Sequence, residues 1–153
     1  MTVEELERLL LKWSRKLRVV PGWDVTLEPV EDESWRKTGD IKIDCDDRKA
    51  VVMLNIKNPC GANLEEVLVH ELFHLKLYPL DQVTESLITD TCEENSPAYR
   101  FAMTQFMSSL EQTVEELAKC WLLEFGEERE LSFGRCRSGK SFDELFDGLK
   151  KLK

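Results

Sequence analysis

The sequence is short of the residues that usually build a metal or thiol site. It has two histidines in 153 residues, two tyrosines, and no Cys-x-x-Cys pair. Its five cysteines (Cys45, Cys60, Cys92, Cys120 and Cys136) form an odd, scattered set. That makes neither a disulfide framework nor a thiolate zinc site, and a cytoplasmic setting is expected. Basic charge is in deficit: with a net charge of −9 there is no phosphate-binding patch to read, so no nucleic-acid partner is expected. No apolar run approaches the roughly 18 residues of a membrane span. The start alternates acid, base and leucine rather than forming a signal peptide, so neither membrane insertion nor secretion is expected. No internal repeat or low-complexity segment stands out. A content of 42% hydrophobic and 33% charged residues is ordinary for a soluble protein, at a length that gives one domain with a buried core.

The pattern along the chain is α+β. Thr2 with Glu5 makes a capping box, and Leu6, Leu9, Leu10, Trp13 and Leu17 form the stripe of a first helix. Trp23, Val25 and Leu27 alternate with polar residues as in a half-buried strand; Ile41, Ile43 and Cys45 repeat that pattern. After a turn at Asp46-Asp47, Ala50 to Ile56 is a third, more continuously apolar strand, hairpin-paired with the second. Asn63 caps the next helix, which Pro79 is expected to stop after Leu77. Val83, Leu87 and Ile88 suggest a separate short helix. Ser96-Pro97 starts another helix, and Ser108 or Ser109 signals a break or fresh start before Gly126 ends it. The expected organisation is one domain over 1–125 and a C-terminal tail over 126–153.

The two histidines, His70 and His74, sit four residues apart within His70-Glu71-Leu72-Phe73-His74. On a helix that spacing offsets them by roughly 40°, one turn apart, so both imidazoles reach one ion. Glu71 lies about 60° round from His74, out of ligand position but beside a water on that ion. Two ligands and one general base thus come from a single element. A chance motif on a core helix is the competing account. Against it, Leu64, Val67, Leu68, Val69, Leu72, Phe73, Leu75 and Leu77 make the helix apolar nearly all round, and buried histidines and a buried glutamate need partners.

A catalytic zinc needs a third protein ligand. No histidine is left, so a carboxylate or thiolate must serve. On the last long helix, Leu110, Val114, Leu117, Ala118, Trp121 and Phe125 form the apolar stripe. Glu111 falls inside it, roughly 50° from its centre, Glu115 on its edge, and Glu116 away. Glu111 is the first choice for the ligand, although a helix-start glutamate in a capping box is its ordinary alternative. Glu115 is the second choice or a partner orienting a histidine, and the stretch from Asp90 to Glu94 the third.

These residues resemble the gluzincins, zinc peptidases whose third ligand is a glutamate on a later helix. Leu68-Val69-His70-Glu71-Leu72-Phe73-His74-Leu75 resembles their active-site helix. Leu110 to Ala118 resembles their glutamate helix, with Glu111 in the ligand position. Size and element order are most similar to the minigluzincins, over roughly residues 20 to 125; a weaker likeness is to small metallopeptidases that cleave phage-type repressors. The resemblance implies a zincin-like fold of N-terminal helix, small three-stranded sheet, active-site helix and glutamate helix. It implies Zn2+ held by His70, His74 and Glu111, and a peptide or protein substrate. Glu71 would be general base on a zinc-bound water, and an edge strand, here Val51 to Ile56, would align the substrate. The oxyanion residue usual in the family, a tyrosine or histidine, is unassigned between Tyr78 and Tyr99. Minigluzincins also occur as latent forms, so the tail, with Cys136 as a thiolate ligand, is a candidate plug; a docked surface helix explains Phe142, Leu145 and Phe146 equally well. The alternative to a peptidase is a catalytically silent, zinc-stabilised regulatory or protein-binding module. The chain gives no signal for oligomeric state.

Overall fold

The structure, a computed structural model, describes residues 1–35, 37–58 and 60–132. It is α+β: three helices and one mixed three-stranded sheet, in the order α1 (Val3–Lys16), β1 (Asp24–Val30), β2 (Gly39–Asp44), β3 (Lys49–Asn55), α2 (Leu64–Thr91) and α3 (Pro97–Phe125). No described helix is long and apolar enough to cross a membrane.

The capping box opens α1 as the sequence implies: the Thr2 hydroxyl accepts from the Glu5 N–H at 3.2 Å, and the Glu5 carboxylate accepts from the Thr2 N–H at 2.7 Å. Leu6, Leu9 and Trp13 are buried against the rest of the core. The hairpin of β2 and β3 turns where the Asp44 carboxylate accepts from the N–H groups of Asp46 and Asp47, which ends β2 before Cys45. The sheet order is β1-β3-β2, with β3 parallel to β1 and antiparallel to β2. This corrects the expectation that Val51 to Ile56 offers an edge. β3 is the central strand, and Ala50, Val52 and Leu54 are buried on it. Its near-continuous apolar run is the mark of a strand flanked on both sides, not of an edge. Among the described residues, the free edges belong to β1 and β2.

Two helix boundaries also depart from expectation. Asn63 caps α2 through its side-chain oxygen, which accepts from the N–H groups of Glu65 and Glu66, but the helix then runs through Pro79 to Thr91. A mid-helix proline costs about 3 kcal/mol; here Pro79 lies on an exposed part of the helix, and α3 packs alongside α2. Ser96 caps α3, its hydroxyl accepting from the Tyr99 N–H at 3.1 Å, with Pro97 at the first position. No break follows at Ser108 or Ser109. A serine restarts a helix only where the backbone turns extended, and α3 stays helical through both to reach the buried Leu110, Val114, Ala118 and Leu122. α2 is the hub: it packs against α1, α3, β2 and β3.

After α3 the chain returns over the first turn of α2. The Glu65 carboxylate, fully buried, accepts from the Trp13 indole at 2.7 Å, the Lys12 ammonium at 3.0 Å, and the backbone N–H groups of Glu127 and Glu128 at 2.8 and 3.0 Å. Glu66 accepts from the Ser132 N–H, and the Asn63 side chain donates to the carbonyls of Glu128 and Glu130. The start of the expected tail is thus strapped to α2. Residues 133–153, with Cys136, Phe142, Leu145 and Phe146, lie outside the described residues.

Candidate metal centre

Two elements converge at the middle of α2. One turn separates His70 from His74, and their Nε2 atoms face each other at 3.1 Å. α3 runs antiparallel beside them and brings in Glu111, whose Oε1 is 3.4 Å from His74 Nε2 and whose Oε2 is 3.5 Å from His70 Nε2. His70, His74 and Glu111 are the one group of His, Cys, Asp and Glu among the described residues whose donor atoms could share an ion.

The distances suit such an ion. Ligands about 2.0–2.1 Å from a tetrahedral zinc stand about 3.3–3.4 Å apart, close to the 3.1, 3.4 and 3.5 Å found. The donor set, two imidazoles and a carboxylate, is one that zinc accepts. Both histidine side chains are about four-fifths buried, whereas Glu111 is 53% exposed, so the group opens to solvent on the α3 side. A cavity of about 390 Å³ lined by Arg8, Leu9, Glu65 and Glu127 lies instead at the first turn of α2 and includes none of these residues.

Glu115 is drawn to the other nitrogen of His70. His70 Nδ1, carrying the proton that a carboxylate acceptor requires, donates to Glu115 Oε2 at 3.1 Å. That leaves the Nε2 lone pair of His70 facing the centre. Lys119 holds the other oxygen of Glu115 at 2.8 Å. The hydrogen bond from His70, ahead of the opposing cost of burial and the pull of Lys119, keeps the Glu115 carboxyl down at about 2. Burial pushes the His70 pKa down, but Glu115 and the carboxylates of Glu71 and Glu111 outweigh it and raise it overall. Among the described residues His74 has no such partner on its second nitrogen; burial, then the charge of His70, lowers it.

Glu71 faces the opposite flank, toward the start of β2. Gly39 lies so close that a Cβ there would sit 2.5 Å from Val67 Cγ1 and 2.9 Å from Glu71 Oε1. The Glu71 side chain is therefore walled by backbone, and burial, helped by Asp40 and Glu111 against the pull of His70, raises its carboxyl to about 7. Lys37 and Asp40, ion-paired at 2.6 Å on the segment entering β2, complete this flank; the Lys37 ammonium is close enough for Glu71 and Glu111 to raise it, behind the larger effect of Asp40.

No protein family, curated protein or solved structure matches the chain.

Of the residues singled out by sequence, the structure brings His70, His74 and Glu111 together, places Glu115 behind His70 and keeps Glu71 beside the group. The remaining candidates lie further along the two helices. Asp90 lies 16 residues beyond His74, about 24 Å along the same helix, so the Asp90 to Glu94 stretch supplies no ligand here. Tyr99 precedes Glu111 by 12 residues, about 18 Å of helix. Tyr78 is one turn past His74 on the same helix; burial, with Cys45 just after β2 behind it, raises the pKa of its hydroxyl. Sequence reading missed Lys37, Gly39, Asp40 and Lys119. The spacing of Glu115 and Lys119, four apart on a helix, was the available signal for the last of these; nothing local marks the other three, because only the packing of β2 on α2 brings them in.

Proposed function

We propose that the chain is a zinc-dependent peptidase of the gluzincin kind, with a zincin-like arrangement of helices and sheet. One observation carries the reading: the described residues furnish three donors, His70, His74 and Glu111, around one point, with a further carboxylate, Glu71, next to His70 in the chain. Structural zinc sites close with four protein ligands, whereas catalytic ones keep three and leave a position open. A zinc ion held there would supply a Lewis acid that polarises a carbonyl and makes water more acidic.

The remaining work falls to the chain's own groups. Glu71 takes a proton from the attacking water as its oxygen adds to the peptide carbonyl carbon, and returns it to the amine as the C–N bond breaks. Glu115, fixed by Lys119, holds His70 with Nε2 toward the centre. The free edge of β2, which runs from Gly39 beside Glu71 to Asp44 near Tyr78, takes the place first given to β3 as the strand against which an extended substrate pairs. The Lys37–Asp40 pair at its start puts one cation near the reacting groups.

The test is zinc content together with hydrolysis of an unstructured protein substrate by wild type and Glu71→Gln. Zinc at one equivalent in both, with turnover reduced by about 10²-fold or more in the variant, is expected. Zinc bound without any Glu71-dependent hydrolysis would favour the silent zinc-stabilised module instead. Absence of zinc binding in both would remove the basis of either reading.

A further inference from the structure

The two long helices outreach the body. Between Leu75 and Leu110 the one buried hydrophobic residue is Ile88, so the second half of α2 and the first half of α3 stand out as a hairpin. On the flank of α2 facing away from His74, the stripe that forms the core simply continues. Leu87 is 18 residues, five full turns, beyond Val69 and on the same meridian; Leu80 and Val83 fall within about 40° of it. Val69 is 0% exposed, whereas Leu80, Val83 and Leu87 are 61%, 67% and 61% exposed. The same face of one helix is covered below and bare above.

The charges around this stripe are arranged in a particular way. The carboxylates of the same stretch, Asp81 and Glu85, project roughly 120° or more away from it. The charged residues near its meridian stand at its two ends: Lys76 at the base, Asp90 at the tip, both exposed. Positions 76 and 90 are equidistant from Val83, and so, within half a residue, are Leu80 and Leu87. A two-fold axis through Val83 therefore sets Val83 on its own copy, Leu80 on Leu87, and each Lys76 on an Asp90 of opposite sign. An isologous interface needs this kind of self-match, and in a chain of net charge −9 most other faces would set like charges together.

We infer that the chain self-associates into an antiparallel homodimer through the Leu80, Val83 and Leu87 face of α2, with Lys76 of each copy paired to Asp90 of the other. The face is one helix wide and, from Lys76 to Asp90, about 21 Å long, small for a permanent interface, so the dimer is a weak one. Its position, about 120–180° round α2 from His74, leaves the candidate metal centre open in both copies.

Sedimentation equilibrium of the full chain from about 5 to about 500 µM, the range of weak association, tests this. The mass is expected to climb from 17.8 kDa toward twice that and stop there. Val83→Glu, at a position already exposed, is expected to hold the monomer mass throughout while its circular dichroism matches wild type. Lys76→Glu and Asp90→Lys are each expected to weaken association about fivefold to tenfold, and the double variant K76E/D90K to restore it to within about threefold. A wild type that stays monomeric, a mass that grows past the dimer, an unaffected Val83→Glu, or a double variant no better than the singles would each overturn the assignment.

Discussion

Removing the Glu115 carboxylate isolates what it does for His70. It touches no other member of the cluster, so Glu115→Ala leaves three donors in place and deletes the group that fixes one of them. In stability terms the loss is small: the hydrogen bond at 3.1 Å involves a side chain that is 42% exposed, and such a bond is worth about 1 kcal/mol or less after solvent screening. In metal affinity it is larger, because an unheld imidazole can rotate about its ring bond and place the proton on Nε2, removing the ligand lone pair. Loss of such a partner weakens metal binding by about 10–100-fold, or about 1.4–2.7 kcal/mol. Glu115→Gln keeps an oxygen that accepts from Nδ1 but loses the charge that pairs with Lys119, so a smaller drop of about threefold to tenfold is expected. The assay is competition for zinc against a chromophoric chelator at neutral pH, with Glu116→Ala, exposed on the same helix, as the control that stays within about twofold of wild type. If Glu115→Ala also bound zinc within about twofold of wild type, the placement of Glu115 behind a metal-ligating His70 would be refuted.

Zinc at about 100 times its dissociation constant is expected to raise unfolding stability by about 2.7 kcal/mol, about 6–10 °C in Tm for a domain of this size; scanning calorimetry should show no such rise in His74→Ala, and a rise preserved there would place the ion elsewhere. Glu65→Ala strands the buried Trp13 indole and the Glu127 and Glu128 N–H groups, a loss of about 3–5 kcal/mol in urea unfolding. Burial alone would raise the Glu65 carboxyl, but the N–H of Glu128, Lys12, Trp13 and the N–H of Glu127 hold it below its ordinary 4.5. A group depressed in the folded state stabilises above its unfolded pKa, so the gap between wild type and Glu65→Ala should narrow as pH falls below 4.5, and a gap that widens there would contradict the assignment. Gly39→Ala forces a Cβ to within 2.5 Å of Val67 and 2.9 Å of Glu71, which should cost about 1–3 kcal/mol and lower hydrolysis with zinc affinity nearly unchanged; equal stability would mean that β2 is not clamped to α2.

What the sequence could and could not tell follows from how far each signal reaches. Helix starts are legible because a cap and the N–H that donates to it lie within three residues: Thr2 with Glu5, Asn63 with Glu66, Ser96 with Tyr99. The histidine pair was legible for the same reason, as four residues of helix fix its geometry by themselves. The position of β3 in the sheet was misjudged because strand order depends on pairing with β1, some 25 residues back in the chain. Pro79 and Ser108 or Ser109 signal breaks by local propensity alone, and α2 packed along α3 overrides them.

The unbroken helices also decide between Glu111 and Glu115. With both helices unbroken, the chain from α2 to α3 is a single antiparallel hairpin about a turn at 92–96. In such a hairpin, advancing four residues along α2 is matched by going back four along α3. His70 with Glu115 and His74 with Glu111 are therefore the same step of the ladder taken twice. The spacing His-x-x-x-His on one helix is answered by Glu-x-x-x-Glu on the other. The two glutamates then part in role through the ring nitrogens they meet. Glu115 lies beside His70 Nδ1, on the side turned from the cluster, and becomes an acceptor that orients. Glu111 lies against both Nε2 atoms and becomes a donor to whatever sits between them. A helix-stripe angle taken on α3 alone separates these two positions only as inside and edge; the register of the hairpin separates them by function.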